Sequence, residues 1–472
     1  VGNVRTALYD WAYARRTGGT FVLRLEDTDR SRVEPQYIES ALDTLRWLGL
    51  DWDEGPGVGG PYGPYRQSER AAIYRDWTAR FLADGLAYYC YCTQEEIAQR
   101  RKAARMIGGP SGYDGHCRAL TEPEVAAYRA EGRQPAVRMR MPPGQTTFTD
   151  LIRGEVTFDH ESVPDFVLAR ADGSPLYTLA AAADDVLMKI SHIVRGEDLL
   201  SSTPRQIVVY RAMGVPEQDF PVFAHLPYVL GQDGQRLSKR NGVVSVNWYR
   251  GEGFLPEAIC NYLALLGWSP GEDRESFTQA ELAAEFDLGR VNRNSARFDV
   301  RKLESINGDK IRALAPADFV ARIIPFLQQA GLAATPPTED QARLITAAAP
   351  LIQERLASLT QAPGLLAFLL ASDFAVDPEE VERLNTPDSH RVLLAAQEAL
   401  EALTAWETSA IDEALRGALI AGLALKPRVA FVPVRIAVTG RRVAPPLFES
   451  IELLGRDRTL TRLAQALANR PA

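Results

Sequence analysis

Apolar positions recur at helical spacing through most of the chain and at strand spacing only in short stretches. Leu8, Trp11, Ala12 and Arg15 share one face of a helix that Gly18-Gly19 would close. Residues 20–25 then alternate as a strand and deliver Glu26-Asp27-Thr28-Asp29 at its carboxyl end, where open α/β sheets place ligand groups. A helix bearing Ile38, Leu42 and Leu45 follows, with Asp29 as a cap. Ser68 sits at the N-cap position of another helix, bearing Ile73, Trp77 and Phe81. Residues 136–141, 146–150 and 190–194 read as short strands. Residues 255–268 form an apolar helical stretch, and from about residue 313 alanine and leucine dominate at helical spacing, as at Phe319, Ile323, Phe326 and Leu327. Strand signals are then sparse until 432–438. The pattern predicts an α/β first part and a mainly helical second part.

Size and composition narrow the class. At 472 residues the chain exceeds what one core supports, and with 46% hydrophobic and 24% charged residues it reads as an ordinary globular protein of several domains. No apolar run approaches the roughly 20 residues that cross a bilayer, so no membrane association and a cytoplasmic location are expected. A net charge of -8 argues against indiscriminate nucleic-acid binding but leaves room for local basic faces. Four cysteines are too few for a disulfide framework, which leaves thiols or metal ligands.

The densest chemistry lies in Gly234-Gln235-Arg236-Leu237-Ser238-Lys239-Arg240-Asn241-Gly242. Two glycines bracket three cations and a serine, so the backbone can bend around a ligand while the cations face polyanionic oxygens. Taken alone, such a run reads as a solvated basic turn. Earlier in the chain, Arg195-Gly196-Glu197-Asp198 follows the strand read over 190–194. An arginine there meets the planar geometry of a carboxylate better than a lysine would. An ion pair with Glu197 or Asp198 is the plainer reading of Arg195.

Four ordered segments together resemble the class I aminoacyl-tRNA synthetases, and among them the bacterial glutamyl-tRNA synthetases. They are Val1-Gly2-Asn3 followed by Arg5-Thr6-Ala7-Leu8, Leu25-Glu26-Asp27-Thr28-Asp29, Val194-Arg195-Gly196-Glu197-Asp198, and Leu237-Ser238-Lys239-Arg240. The resemblance spans essentially the whole chain. Val1, Gly2 and Asn3 match the second to fourth positions of the family's first signature, so the sequence is expected to lack the extreme N-terminus, including that signature's histidine. The likeness implies that Gly2, Asn3, Arg236, Ser238, Lys239 and Arg240 bind ATP, with Lys239 as the catalytic cation at the phosphates. It further implies that Glu26 takes the α-ammonium of glutamate, and that Arg195, with Tyr177 beside it, takes the side-chain carboxylate. Arg236 replaces the family's lysine but keeps its charge.

Cys90-Tyr91-Cys92 and, later, Cys117 resemble the zinc site of some relatives, where thiolates hold a tetrahedral metal. Where those relatives carry Cys-x-His, this chain has Cys117-Arg118-Ala119. His116, adjacent to Cys117, is poorly placed to share a metal, and Tyr113 is the alternative fourth ligand. Zinc and metal-free thiols both stand as readings.

The resemblance implies a Rossmann-type nucleotide-binding domain with an α/β insertion, followed by mainly α-helical stem-contact and anticodon-binding domains. The expected segments are 1–85 and 172–222 for the two halves of the catalytic domain and 86–171 for the acceptor-end-binding insertion. Residues 223–312 are assigned to the stem-contact domain with its signature loop, and 313–375 and 376–472 to two helical anticodon-binding domains. Within the last of these, Arg435, Arg441 and Arg442 are candidates for RNA contact, or simply a solvated basic loop. The implied reaction is ATP-dependent ligation of L-glutamate to tRNA(Glu) through a glutamyl-adenylate, with magnesium accompanying ATP and the enzyme acting as a monomer. Two alternatives accompany it: an enzyme that also charges tRNA(Gln), and a catalytically silent tRNA-binding paralogue.

Overall fold

The computed structural model describes residues 1–28, 34–106, 112–238, 245–271 and 273–468. The chain divides into two compact units, one of Val1–Asn247 with Ile259–Asp299, the other of Trp248–Ala258 with Val300–Ala472.

The first unit opens with helix α1 (Gly2–Thr17), which buries Leu8, Tyr9, Trp11 and Ala12, as the spacing predicts. Gly18 ends it in the left-handed region at φ 66°, and the Gly19 amide donates back to the Ala14 carbonyl at 2.8 Å. Residues 20–25 depart from expectation. They make only isolated parallel bridges, Val22 with Glu54 and Leu25 with Arg66, so this is extended chain and not a strand. Helix α2 (Pro35–Trp47) carries Glu34 at its N-cap and proline at its first turn; the cap proposed at Asp29 falls outside the described residues. Ser68 is not a helix cap either. Helix α3 (Ala71–Ala83) starts after Arg70, and Ser68 turns its amide and hydroxyl onto the Asp27 carboxylate, both at 2.8 Å.

Strand β1 (Ala87–Cys90) is followed by α4 (Gln94–Met106), α5 (Glu122–Ala130) and β2 (Ala136–Met139). With β5 (Phe166–Ala169) the strands form an antiparallel sheet in the order β1-β2-β5. Between them β3 (Gln145–Asp150) and β4 (Gly154–Asp159) make a hairpin that joins a different sheet. After α6 (Tyr177–Leu187), β6 (His192–Gly196), α7 (Thr203–Ala212) and β7 (Val222–Leu226), that sheet has the order β4-β3-β7-β6, with β3, β7 and β6 parallel. It therefore draws strands from both sides of residue 171. Tyr74, Phe81, Leu168, Ala182, Val209 and Phe223 meet in one core around it.

In the second unit every regular element among the described residues is helical. The helix Pro316–Gln329 buries Phe319, Ile323 and Leu327, with Phe326 at its margin. Residues 432–438 are also helical, against their β-branched run: they belong to Pro427–Thr439, which begins on a proline and ends on Gly440 at φ 79°. Val434, Ile436, Ala437 and Val438 are all buried there, and burial against neighbouring helices outweighs a strand preference worth well under about 1 kcal/mol per residue. No helix among the described residues is long and apolar enough to cross a membrane.

Two adjacent carboxylates on α6 gather side chains from distant segments of the first unit. Asp184, 0% exposed, accepts from Arg70 Nε at 2.7 Å, the Tyr74 hydroxyl at 2.7 Å and Gln67 Nε2 at 3.1 Å. Removing it strands a guanidinium that is itself 3% exposed. Asp184→Ala is expected to cost about 3–5 kcal/mol, the usual penalty for breaking a buried pair from one side. Urea denaturation against the unsubstituted chain measures it, and a loss below about 1 kcal/mol, the size of an ordinary surface pair, would contradict this account.

Candidate active site

Arg195 and Tyr177 are brought together. Arg195 is the penultimate residue of β6, at the carboxyl end of a parallel strand, and Tyr177 is the first residue of α6. The guanidinium is 8% exposed, and its Nη1 donates to the Tyr177 hydroxyl at 3.2 Å. The ion pair with Glu197 or Asp198 does not form. Glu197 pairs with Arg153 and accepts the Tyr228 amide at 2.8 Å, while Asp198 pairs with Arg236 at 3.4 Å. Among the described residues no carboxylate pairs with Arg195. Its Nε donates to His225 Nε2 at 3.0 Å, and its Nη2 to Thr203 Oγ1 at 2.9 Å and the Leu199 carbonyl at 3.4 Å. The Nη1 end is thus the part of the fork left for a ligand.

Glu26 stands close enough to act on the same phenol. Burial raises the Tyr177 pKa, Arg195 pulls it down and Glu26 and Asp185 push it up. Glu26 is held by Arg24 Nη2 at 2.9 Å, and Arg24 Nη1 reaches Asp185 at 2.8 Å. Burial alone would lower the Arg24 pKa, but Asp185, Glu26 and Asp184 outweigh it and keep this cation firmly charged. Asp185 in turn accepts from the Tyr210 hydroxyl at 3.0 Å.

A cavity of about 670 Å³ runs between α1, residues 19–26 and β6, and both Asn3 and Glu26 line it. Gly2 opens α1 with no side-chain cap, and a Cβ there would meet open space. Arg236 lies over the Tyr228 ring at 4.5 Å, and Ser238 is exposed nearby in sequence. Lys239 and Arg240 lie outside the described residues. A larger cavity, about 1130 Å³, borders Arg118 and Asp165 in the 86–171 segment and touches none of the residues assigned to glutamate or ATP.

Cys90, Cys92 and Cys117 converge, their sulfurs all within 4.8 Å of one another. Cys92 and Cys117 are 3.4 Å apart at Sγ, and the Tyr113 hydroxyl is 3.4 Å from Cys90 and 3.9 Å from Cys92. That phenol oxygen also accepts the Cys117 amide at 2.8 Å. His116 turns away to the Tyr128 hydroxyl at 3.1 Å. The Cys90 thiol is drawn below the ordinary thiol range, chiefly by its hydrogen bond with Cys117, and by Tyr113 and Arg138 against the cost of burial, while Cys117 is pushed up by the same bond. The three gathered thiols suit a thiophilic metal such as zinc, whereas the phenol is not among the usual zinc donors.

Residues 1–305 match the family model of the class I tRNA synthetase (E and Q) catalytic domain, and residues 318–467 match an anticodon-binding domain. The glutamate–tRNA ligase of Saccharopolyspora erythraea is 52% identical over 470 residues, covering 99% of this chain and 93% of its own. That of Nocardioides sp. is 50% identical over 472 residues, with 99% and 96% covered. This chain belongs to the glutamate–tRNA ligase family. Among solved structures, the glutamate tRNA ligase of Elizabethkingia meningosepticum in complex with its amino acid aligns with a TM-score of 0.85 at 31% identity, over 99% of this chain and 96% of that one.

Within this glutamate–tRNA ligase fold, sequence reasoning missed Arg24, Asp150, Asp185, Thr203 and His225. Asp185 was visible as half of an unusual acidic pair inside an alanine-rich helix. His225 was visible as a polar residue, next to last in a mostly apolar strand, though its partner lies 75 positions away. In the second unit, Arg441 pairs with Asp377 at 3.0 Å and Arg442 with Glu380 at 3.7 Å, while Arg435 is partly buried and has its pKa lowered, first by burial and then by Arg355.

Proposed function

We propose that the chain joins L-glutamate to tRNA(Glu) at the expense of ATP, through a glutamyl-adenylate. The observation that carries this reading is Arg195, a buried guanidinium whose described partners are all neutral and whose Nη1 meets Tyr177, a phenol that also feels the charge of Glu26. A cation so placed is undercompensated until an anion arrives. Neither alternative set out above is favoured by the relatives.

In the first step an oxygen of the glutamate α-carboxylate attacks the α phosphorus of ATP. The bond to the bridging oxygen breaks, and pyrophosphate leaves with that electron pair. Such chemistry needs positioning and anion stabilisation more than a protein nucleophile. Glu26 holds the α-ammonium, and Arg195 with Tyr177 holds the side-chain carboxylate. Gly2, Asn3, Arg236, Ser238, Lys239 and Arg240 receive ATP, which brings its own magnesium, and Lys239 offsets charge at the phosphates. In the second step a ribose hydroxyl of the terminal adenosine attacks the acyl carbon, loses its proton, and AMP departs. Residues 86–171 take the acceptor end, 223–312 the stem and 313–472 the anticodon. The protein acts as a cytoplasmic monomer.

Neutral glutamine would leave Arg195 facing an amide, so a site built for the carboxylate rejects it strongly. We further propose that Cys90, Cys92, Cys117 and Tyr113 hold one zinc ion, which ties β1 to the turn at His116–Ala119 and has no part in the reaction.

Arg195→Ala is expected to raise the glutamate KM about a hundred-fold or more while the ATP KM stays within about two-fold. Steady-state kinetics of adenylate formation with tRNA(Glu) present test this, and equal modest effects on both substrates would overturn the assignment. Lys239→Ala is expected to slow the same step by about 10²–10³, with tRNA affinity unchanged. For the metal, elemental mass spectrometry of the purified chain should find one zinc per molecule, lost in Cys117→Ser; a chain without zinc that melts at the same temperature after chelator treatment would refute it.

A further inference from the structure

Behind Arg195 lies a second layer that the reaction scheme does not use. The register of the parallel pair β6 and β7 sets Arg195 opposite His225. His225 is 0% exposed, and its Nε2 receives the Arg195 Nε proton at 3.0 Å. A guanidinium can only donate, so this nitrogen must be bare, and the imidazole is neutral with its proton on Nδ1. That proton goes to Asp150 Oδ2, 2.6 Å away. Asp150, 1% exposed at the end of β3, is fixed in turn by the amides of Ile152 at 2.9 Å, Arg153 at 2.8 Å and His225 itself at 3.0 Å. Thr203 Oγ1 lies 3.3 Å from the same Nε2 and takes the Nη2 proton of Arg195 at 2.9 Å.

We propose that His225, with its tautomer set by Asp150, is the positioning residue that aims Arg195 at the glutamate side chain. This inference rests on the reading of Arg195 given above. Imidazole and hydroxyl together occupy the side-on edge of the guanidinium, through Nε and Nη2, and leave Nη1 directed at Tyr177. A carboxylate at the position of His225 would anchor Arg195 equally well but would cancel its charge. A neutral acceptor orients the cation and leaves its charge for the substrate. The carboxylate sits one residue further back, where it selects the tautomer of the imidazole.

The arrangement carries a pH signature. A proton added to Nε2 would face the Arg195 Nε–H, remove its acceptor and place a second cation 3.0 Å from the first. The groups facing the imidazole are Asp150 from β3, Arg153 from the turn after it, Arg195 from β6 and Thr203 from the start of α7, with the Phe223 ring stacked 6.1 Å away. Burial lowers the His225 pKa most, Arg195 and Arg153 lower it further, and Asp150 opposes them without reversing the shift. The ring is therefore neutral at pH 7. Glutamate binding should weaken only as the pH falls below the ordinary imidazole range.

The test is the glutamate KM and ATP KM of the full chain with tRNA(Glu) present, across about pH 5.5 to 8. His225→Leu removes the acceptor at similar bulk and is expected to raise the glutamate KM about ten- to a hundred-fold, leaving the ATP KM within about two-fold. His225→Gln returns an oxygen to the Nε2 position without a titrating proton. It should recover most of that loss, and its glutamate KM should stay flat on the acid side where that of the unsubstituted enzyme climbs. Equal changes in both KM values, or an acid-side climb that persists in His225→Gln, overturn the proposal. Should His225→Leu fail to fold, the pH profile of His225→Gln alone decides. Arg195→Ala run in parallel separates the two levels. If it leaves the glutamate KM untouched, the reading of Arg195 itself falls; if it acts while neither His225 variant does, only the positioning role falls.

Discussion

A guanidinium removed from water must find acceptors for its N–H groups, and which acceptors it finds decides what it can still do. Arg70 and Arg195 show the two outcomes in one unit. Arg70 is closed off by Asp184, so its charge is spent within the protein and stabilises the packing of α3 against α6. Arg195 is surrounded by an imidazole, a hydroxyl, a phenol and a carbonyl, so its hydrogen-bonding demand is largely met and its charge is not. In a low-dielectric surrounding that difference leaves Arg195 with a charge its described neighbours do not compensate.

Keeping carboxylates away from Arg195 requires that the nearby ones be engaged elsewhere. Asp150 is turned to His225 and three amides, Glu197 to Arg153 and Tyr228, Asp198 to Arg236, and Asp185 to Arg24 and Tyr210. Each of these pairs has a local structural role, and each also withholds an anion from the arginine. The site is acidic in composition yet presents a positive centre. Net charge, whether of the chain or of a segment, does not report this; the pairing pattern does.

The cysteine cluster follows the same logic of donors brought together by tertiary structure. Cys90 ends a strand and Cys117 lies in a short turn, with Tyr113 between them in sequence and against both in space. The same phenol carries the Arg138 guanidinium over its ring at 3.8 Å, which favours negative charge on the donor set.

Local sequence determined most of the helices, because a face such as Phe319, Ile323 and Leu327 is written at a fixed spacing and buries wherever a neighbour is offered. It also determined the family, through ordered motifs, and it singled out Tyr177 with Arg195 and the three cysteines, groups that the fold brings together. It misjudged residues 20–25 and 432–438, where alternation or β-branching describes a preference and the available partner decides the outcome. Ser68 was read as a cap because capping is local, whereas its actual partner, Asp27, lies 41 positions away. The second layer, Asp150, His225 and Thr203, could be decided only by the tertiary structure. Parallel strands place partners from distant segments in register, and no spacing along the chain records which imidazole nitrogen will face which guanidinium.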